Sequence, residues 1–134
     1  QDGNEISSHD FAGKKWVVFF YPKASTPGCT AEACDLRDNE NALKAAGYHL
    51  VGVSADSVQR QKNFATKNEL PFPLIADESH EVLNAFGVWG PKKFMGREFD
   101  GIHRTTFIID ENGNITDVIE KVKTKEHAKQ ILEK

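Results

Sequence analysis

The sequence predicts an α/β fold in which helices cover both faces of a mixed central sheet. Three observations carry this expectation. The run Trp16-Val-Val-Phe-Phe-Tyr21 is apolar without alternation, as in a strand buried on both faces. Strand-like and helix-like runs then alternate along the chain, the pattern of parallel strands joined by crossover helices. Near the end, Glu111-Asn-Gly-Asn114 separates two strand-like runs, residues 104–110 and 115–122, a strong antiparallel hairpin signal.

The elements follow in order. Asp2-Gly3-Asn4 is turn chemistry, and a loop or edge hairpin is expected as far as Lys15. Pro22 ends the first strand because it lacks a ladder donor. Thr26 suits an N-cap and Pro27 the first helical position. The helix then runs through Ala31, Ala33, Leu36, Leu43 and Ala46 to Gly47, with a break at the poor helix formers 38–41. Residues 48–53 give a second apolar strand. Asp56-Ser57 caps a helix with Val58, Phe64 and Ala65 inward, ending before Leu70-Pro71. Residues 72–76 form a short strand, and Asp77-Glu78-Ser79 caps a brief helix through Val82, Leu83 and Phe86, closed by Gly87. Residues 90–101 read as a glycine-punctuated connection. After the hairpin, Thr124 caps a last helix with Ala128, Ile131 and Leu132 on one face.

Composition narrows the function classes. A chain of 134 residues, 39% hydrophobic and 28% charged, has the size and balance of one soluble domain spanning residues 1–134. The net charge of −3 offers no basic stripe for nucleic acid. No apolar run approaches the roughly 20 residues of a membrane span. No signal segment follows Gln1, so a reducing cytoplasm is the expected compartment. Two cysteines are too few for a disulfide scaffold.

Those cysteines, Cys29 and Cys34, lie five residues apart in Tyr21-Pro-Lys-Ala-Ser-Thr-Pro-Gly-Cys29-Thr-Ala-Glu-Ala-Cys34. Strand, turn and helix in that order place Cys29 in a first helical turn. There it meets unpaired backbone N–H groups and the positive end of the helix dipole. Both favour thiolate, the nucleophilic form. On an ideal helix, positions five apart differ by ~7.5 Å of rise and ~140° of rotation. Their Cα atoms are then roughly 8–9 Å apart, beyond the ~7 Å limit for a disulfide. Bonding between them requires a turn to unwind, which predicts a wound reduced state and a locally unfolded oxidised one. Two ordinary buried thiols are the plain alternative. Zinc is disfavoured, because no second cysteine pair or His-x₃₋₅-His accompanies them.

The residues around Cys29 go further. Pro22, Thr26 and Cys29 form Pro-x-x-x-Thr-x-x-Cys, and the run through Leu36-Arg37-Asp38 resembles the Q-type branch of the peroxiredoxins, also called bacterioferritin comigratory proteins. Gly13-Lys14, Gly52-Val-Ser54 and Gly101-Ile-x-Arg-x-Thr-Phe-Ile-Ile-Asp110 fall in the same order, so the resemblance covers nearly the whole chain. Relative to that family, the segment ahead of Asp10-x-x-Gly13 is short. The resemblance implies a thioredoxin-like fold and a thiol peroxidase that needs no metal or organic cofactor. It makes Cys29 the peroxidatic cysteine and Cys34 the resolving one, joined in an intramolecular disulfide that thioredoxin reduces. Thr26 matches the hydroxyl that bonds peroxide and thiolate, Pro22 the shield against water, and Arg104 the guanidinium beside the sulfur. Backbone N–H groups of Gly28 and Cys29 add to the same cradle. Glu32 and Arg37 are expected to support these residues from behind. A monomer, or at most a weak dimer, is expected, because an internal resolving thiol needs no partner subunit.

Other residues receive weaker expectations. Trp89, Phe94 and Phe99 are candidates for an entrance wall or a dimer contact, with plain packing favoured. His9, His49, His80, His103 and His127 show no metal spacing and are assigned nothing. Two competing functions use the same thiols: a redox sensor that signals through the disulfide, and a general dithiol oxidoreductase. The second is disfavoured, since such enzymes use Cys-x-x-Cys.

Overall fold

The computed structural model describes residues 13–94 and 97–133. In chain order these form β1 (Lys15–Phe20), α1 (Pro27–Asp38), α2 (Glu40–Ala45), β2 (Tyr48–Ser54), α3 (Val58–Lys67) and β3 (Leu74–Ala76). Then come α4 (Glu81–Ala85), β4 (Trp89–Phe94), β5 (Arg97–Ile102), β6 (Thr105–Ile109), β7 (Ile115–Ile119) and α5 (His127–Leu132). Five strands make one sheet in the order β3-β2-β1-β6-β7. β1 pairs in parallel with β2, and β2 with β3, whereas β6 and β7 join as antiparallel neighbours on the other side. The sheet is mixed, as expected. No helix among the described residues is long and apolar enough to cross a membrane.

β1 is central because it is apolar on both faces, and its alternate residues point to opposite sides. Val17, Phe19 and Tyr21 pack with Leu36 of α1, Leu43 of α2, Phe64 of α3 and Ile131 of α5. Trp16, Val18 and Phe20 pack instead with Leu83 of α4 and with Phe107 and Ile109 of β6. Helices therefore lie on both faces, four on one and the short α4 on the other.

Several local expectations are corrected. Residues 90–101 are not a plain connection: β4 and β5 pair as an antiparallel hairpin, Gly90 opposite Gly101. The α3 helix turns Gln61, Phe64 and Ala65 inward, and Val58, at its first position, is left 42% exposed. The cap of α4 is His80, held in the left-handed region at φ 64°, while the Asp77 carboxylate reaches past it to accept from Leu83 N at 2.8 Å. The last helix begins at His127 with Glu126 as its cap, because residues before it form a turn in which Glu126 N donates to Lys123 O. Leu132 falls on its outer side, 40% exposed. β7 stops at Ile119, and Arg104 stands just ahead of β6. The early loop through residue 12 and His9 lie outside the described residues, as do the side chains of Phe94 and Phe99.

The break between α1 and α2 falls at Asn39, inside the stretch of poor helix formers. Thr26 is the N-cap of α1, with Pro27 opening the helix. Ser57 caps α3, its hydroxyl oxygen accepting from Arg60 N at 3.2 Å.

The sheet's centre tolerates no added bulk at Gly52. A methyl there would lie 2.7 Å from Phe19 Cζ, 2.8 Å from Leu74 Cδ2 and 3.0 Å from Tyr21 Cε1. Gly52→Ala is expected to lower the unfolding free energy by about 1–3 kcal/mol, the usual cost of overpacking a filled core. Denaturant unfolding checks this; an unchanged midpoint would show that the two rings and the Leu74 methyl yield freely.

Candidate active site

The candidate site forms where β1 ends, α1 begins and β6 starts. β6 runs antiparallel to β1, with Thr105 opposite Phe20, so its first residues lie beside the end of β1. Arg104, one residue earlier, is thereby carried to the start of α1. Its Nη2 donates to Cys29 Sγ at 3.3 Å and its Nη1 donates to Glu32 Oε1 at 2.6 Å. Cys29 and Glu32 are three apart on α1 and so share one face. A single guanidinium bridges both.

Cys29 is 2% exposed, and Arg104 covers it. Gly28 permits this approach, since a methyl at that position would stand 3.3 Å from Arg104 Nη2. Burial opposes the charge on Arg104, but Cys29 and Glu32 together more than offset it and hold the guanidinium above its ordinary range. Glu32 is fully buried, and that burial raises its carboxyl to about 7 against the opposing pull of Arg104.

The loop from Pro22 to Thr26 is pinned from β2. Asp56 is buried, and its Oδ2 accepts from Ala24 N at 2.7 Å and from Ser54 Oγ at 2.7 Å. The loop then turns through Ser25, whose φ of 65° lies in the left-handed region and costs energy for a side chain with a Cβ. Thr26 caps α1 from the site, but its hydroxyl donates to Lys23 O at 2.7 Å rather than into the helix. Pro22, which opens the loop, is half-buried. Beneath it, the Tyr21 hydroxyl donates to Gln61 Oε1 at 2.5 Å, and burial raises its pKa so that it stays protonated.

Cys34 faces elsewhere. It is half-buried, and its thiol donates to Asn68 Oδ1 at 3.7 Å, at the C-cap of α3. Arg37 belongs to this side and not to Cys29: its Nη1 donates to Asn68 O at 2.7 Å and its Nη2 pairs with Asp38 at 2.9 Å. That corrects its expected place behind the reactive sulfur, since residues eight apart on a helix lie too far along the axis to share one small site. Both cysteines are free thiols in one unbroken helix.

Two further residues were not legible as site components. His127 is fully buried on α5 and turns toward Glu32, with Nε2 3.5 Å from Oε2. The sequence assigned it nothing; its spacing of four from Ile131 is a signal for a core-facing position, but nothing in the sequence says which carboxylate it meets. Asp56 read as part of a helix cap, whereas it anchors the loop that precedes Cys29. Of the other aromatics and histidines, Trp89 packs against the second core cluster and stacks on His80 at 4.1 Å. His49 and His103 are exposed. Among the described residues, no group of three or more His, Cys, Asp and Glu is placed to hold a metal ion.

A helix-start cysteine under an arginine, on a mixed sheet with helices on both faces, defines a thiol-based oxidoreductase of thioredoxin-like architecture. Known proteins resemble this chain along almost its whole length. The AhpC/TSA family pattern matches residues 1–118. The chain is 48% identical to the peroxiredoxin Bcp of Escherichia coli over 132 residues, 98% of this chain and 85% of that one. It is 42% identical to the peroxiredoxin Bcp of Bacillus subtilis over 131 residues, covering 98% and 83%. A solved structure of Xanthomonas campestris peroxiredoxin Q superposes with a TM-score of 0.91 at 37% identity, covering 98% of this chain and 83% of that one. The chain belongs to the AhpC/TSA family, and within it to the Q-type peroxiredoxins, and it is a thiol peroxidase.

Because Gly28 leaves room for Arg104, Gly28→Ala is expected to push the guanidinium off Cys29 and slow alkylation of that thiol by iodoacetamide several-fold, with the unfolding midpoint unchanged. An unchanged alkylation rate would show that Arg104 does not need the space.

Proposed function

We propose that Cys29 reduces hydrogen peroxide and organic hydroperoxides and that Cys34 then closes on it as an intramolecular disulfide. The observation that carries this is the contact of Arg104 Nη2 with Cys29 Sγ at 3.3 Å, a fixed cation at the sulfur. In the first step the Cys29 thiolate attacks the terminal oxygen of the hydroperoxide. An S–O bond forms, the O–O bond breaks, and the departing alkoxide takes a proton to leave as alcohol or water. Arg104 offers a fork of permanent donors, so one N–H can hold the sulfur while another meets charge growing on the leaving oxygen. Backbone N–H groups of Gly28 and Cys29, in the first turn of α1 and without intrahelical partners, are further donors available to that charge. Thr26, at the cap, is the hydroxyl available to a bound peroxide once it lets go of Lys23 O, and Pro22 keeps bulk water from the loop.

Cys29 is then a sulfenic acid. The Cys34 thiolate attacks its sulfur, an S–S bond forms, the S–O bond breaks, and hydroxide leaves as water, which spares Cys29 from oxidation to sulfinic acid. In the wound helix the two sulfurs cannot meet, so the turn carrying Cys34 must first leave Asn68. A dithiol reductant of the thioredoxin type restores both thiols by exchange. A relative from Xanthomonas campestris, similar at a TM-score of 0.92 and 36% identity, is described by its alkyl peroxide reduction activity, which supports organic hydroperoxides as substrates. A cytoplasmic setting and a monomer fit a chain whose two thiols resolve within one helix.

Intact mass after one equivalent of peroxide tests the scheme. Wild type is expected to lose two hydrogens without dimerising. Cys34→Ser is expected to gain one oxygen, then a second in excess peroxide, and Cys29→Ser to gain nothing. A covalent dimer, or oxidation surviving in Cys29→Ser, would overturn the assignment. Arg104→Met removes the charge-assisted donor, and its rate with peroxide is expected to fall roughly 10²–10³-fold. Stopped-flow kinetics reads this, and a near-wild-type rate would place Arg104 outside the reaction. Multiple turnovers with thioredoxin and its reductase separate a peroxidase from a sensor that oxidises once.

A further inference from the structure

Behind Arg104 lies a buried polar chain whose protons can be counted. Glu32 Oε1 accepts from Arg104, but Glu32 Oε2 is buried with no hydrogen-bond partner. The group it faces is His127 Nε2, 3.5 Å away. Which nitrogen of His127 carries hydrogen is fixed by Gln130. The Gln130 amide nitrogen donates to Lys121 O at 3.0 Å, and its Oε1 accepts from Lys123 N at 2.9 Å, so the amide cannot be flipped. His127 Nδ1 lies 3.0 Å from that same Oε1 and must therefore donate to it. In a neutral imidazole, Nε2 then carries only a lone pair, which accepts from Thr106 Oγ1 at 2.7 Å.

With Glu32 ionised and His127 neutral, a bare carboxylate oxygen would face that lone pair in a dry interior. Such an unpaired charge is costly. One proton removes the conflict, either on Glu32 as an O–H aimed at Nε2 or on His127 as an N–H aimed at Oε2. We propose that Glu32 and His127 hold one proton between them in the reduced protein, and that this proton leaves the positive charge of Arg104 free to act on Cys29. With the proton present, the pair is neutral in sum and Arg104 is the net charge beside the sulfur. Without it, the Glu32 carboxylate sits in contact with Arg104 and cancels much of its field. Both are positioning residues, since each acts through Arg104 and neither touches the reacting atoms.

The titratable and charged groups around the pair are few. Asp35 faces it from α1, and Arg104 from the start of β6; Asp35 in turn accepts from Ala128 N on α5 at 2.7 Å. Burial raises Glu32 to about 7 and lowers His127, so the shared proton is lost as pH rises past neutrality. The sign follows: above that range Arg104 is offset, and the push it gives the sulfur weakens.

The proton itself does not depend on the proposed peroxidase chemistry; its effect on rate rests on that reading. Reduced full-length protein is measured between pH 6 and pH 9. At pH 6, infrared difference spectra are expected to show a carboxylic acid band that Glu32→Gln abolishes, or ring ¹⁵N NMR an imidazolium that His127→Asn abolishes. Either signal is expected to vanish by pH 9. A neutral His127 together with no acid band at pH 6 would overturn the shared proton, and this measurement on wild type needs no variant to fold. For the link to Arg104, the ratio of peroxide rate constants, Glu32→Gln over wild type, is expected to rise several-fold from pH 6 to pH 9, because the amide cannot ionise. A ratio flat with pH would overturn that link, as a merely structural role for Glu32 predicts. Absence of peroxide reaction in wild type would count against the peroxidase reading, while the spectra still decide the proton.

Discussion

The contact on which the rest of the molecule depends is the bridge from Arg104 to Cys29 and Glu32. It joins the start of a strand to the start of a helix, 75 residues apart in sequence. Nothing local holds a guanidinium over a buried sulfur. The antiparallel register of β6 on β1 does so, by setting Thr105 opposite Phe20 at the end where α1 begins. Slipping that register by one residue would turn Arg104 to the other face of the sheet. The apolar faces of β1 therefore do more than fill two cores, because they fix the register that delivers the charge.

The same helix that presents Cys29 also withholds Cys34. Its second half is tied to two neighbours. Asn68 at the end of α3 takes the Cys34 thiol and the Arg37 guanidinium, and Asp35 takes Ala128 N from α5. Each bond is modest, on the order of 1 kcal/mol net for a neutral pair and somewhat more where a charge is involved. A segment secured by a few such bonds at its outer edge can open locally without global unfolding. The first half differs, being locked by a pinned loop and by the bridge from Arg104 to Cys29 and Glu32. A helix firm at Cys29 and lightly held at Cys34 suits the proposed cycle, in which one sulfur stays in place while its partner travels.

Much of this was legible in the residues. Trp16 to Tyr21 announced a central strand because burial on both faces leaves no room for alternation, and Thr26-Pro27 announced a helix start because capping and φ preferences are local. The break at Asn39 came from propensity in the same way. Arg104 was reached through resemblance and Glu32 through its spacing of three from Cys29, since their meeting depends on sheet register that no single stretch encodes. The β4–β5 hairpin was missed because glycines at 90 and 101 read as loop, although they sit opposite each other as a cross-strand pair. Val58 and Leu132 were placed inward on their type, whereas Gln61 and His127 took those faces through hydrogen bonds only tertiary contacts supply. Arg37 was misplaced for a simpler reason: sequence proximity to Cys29 says little along a helix that climbs 1.5 Å per residue.

The buried charges also explain why α5 matters to a site it does not line. A carboxylate in the interior at Glu32 must be paired or protonated, and Arg104 satisfies only one of its oxygens. The other oxygen needs His127, whose ring is oriented by Gln130, itself held between Lys121 O and Lys123 N ahead of the helix. The chain from Cys29 through Arg104, Glu32 and His127 to Gln130 thus ends in backbone groups of the segment that leads into α5. If that helix were displaced, Glu32 would lose the neighbour that decides its protonation before Arg104 lost any contact of its own. The charge felt by the sulfur is therefore set at both ends of the polar chain, by strand register at one and by the docking of the last helix at the other.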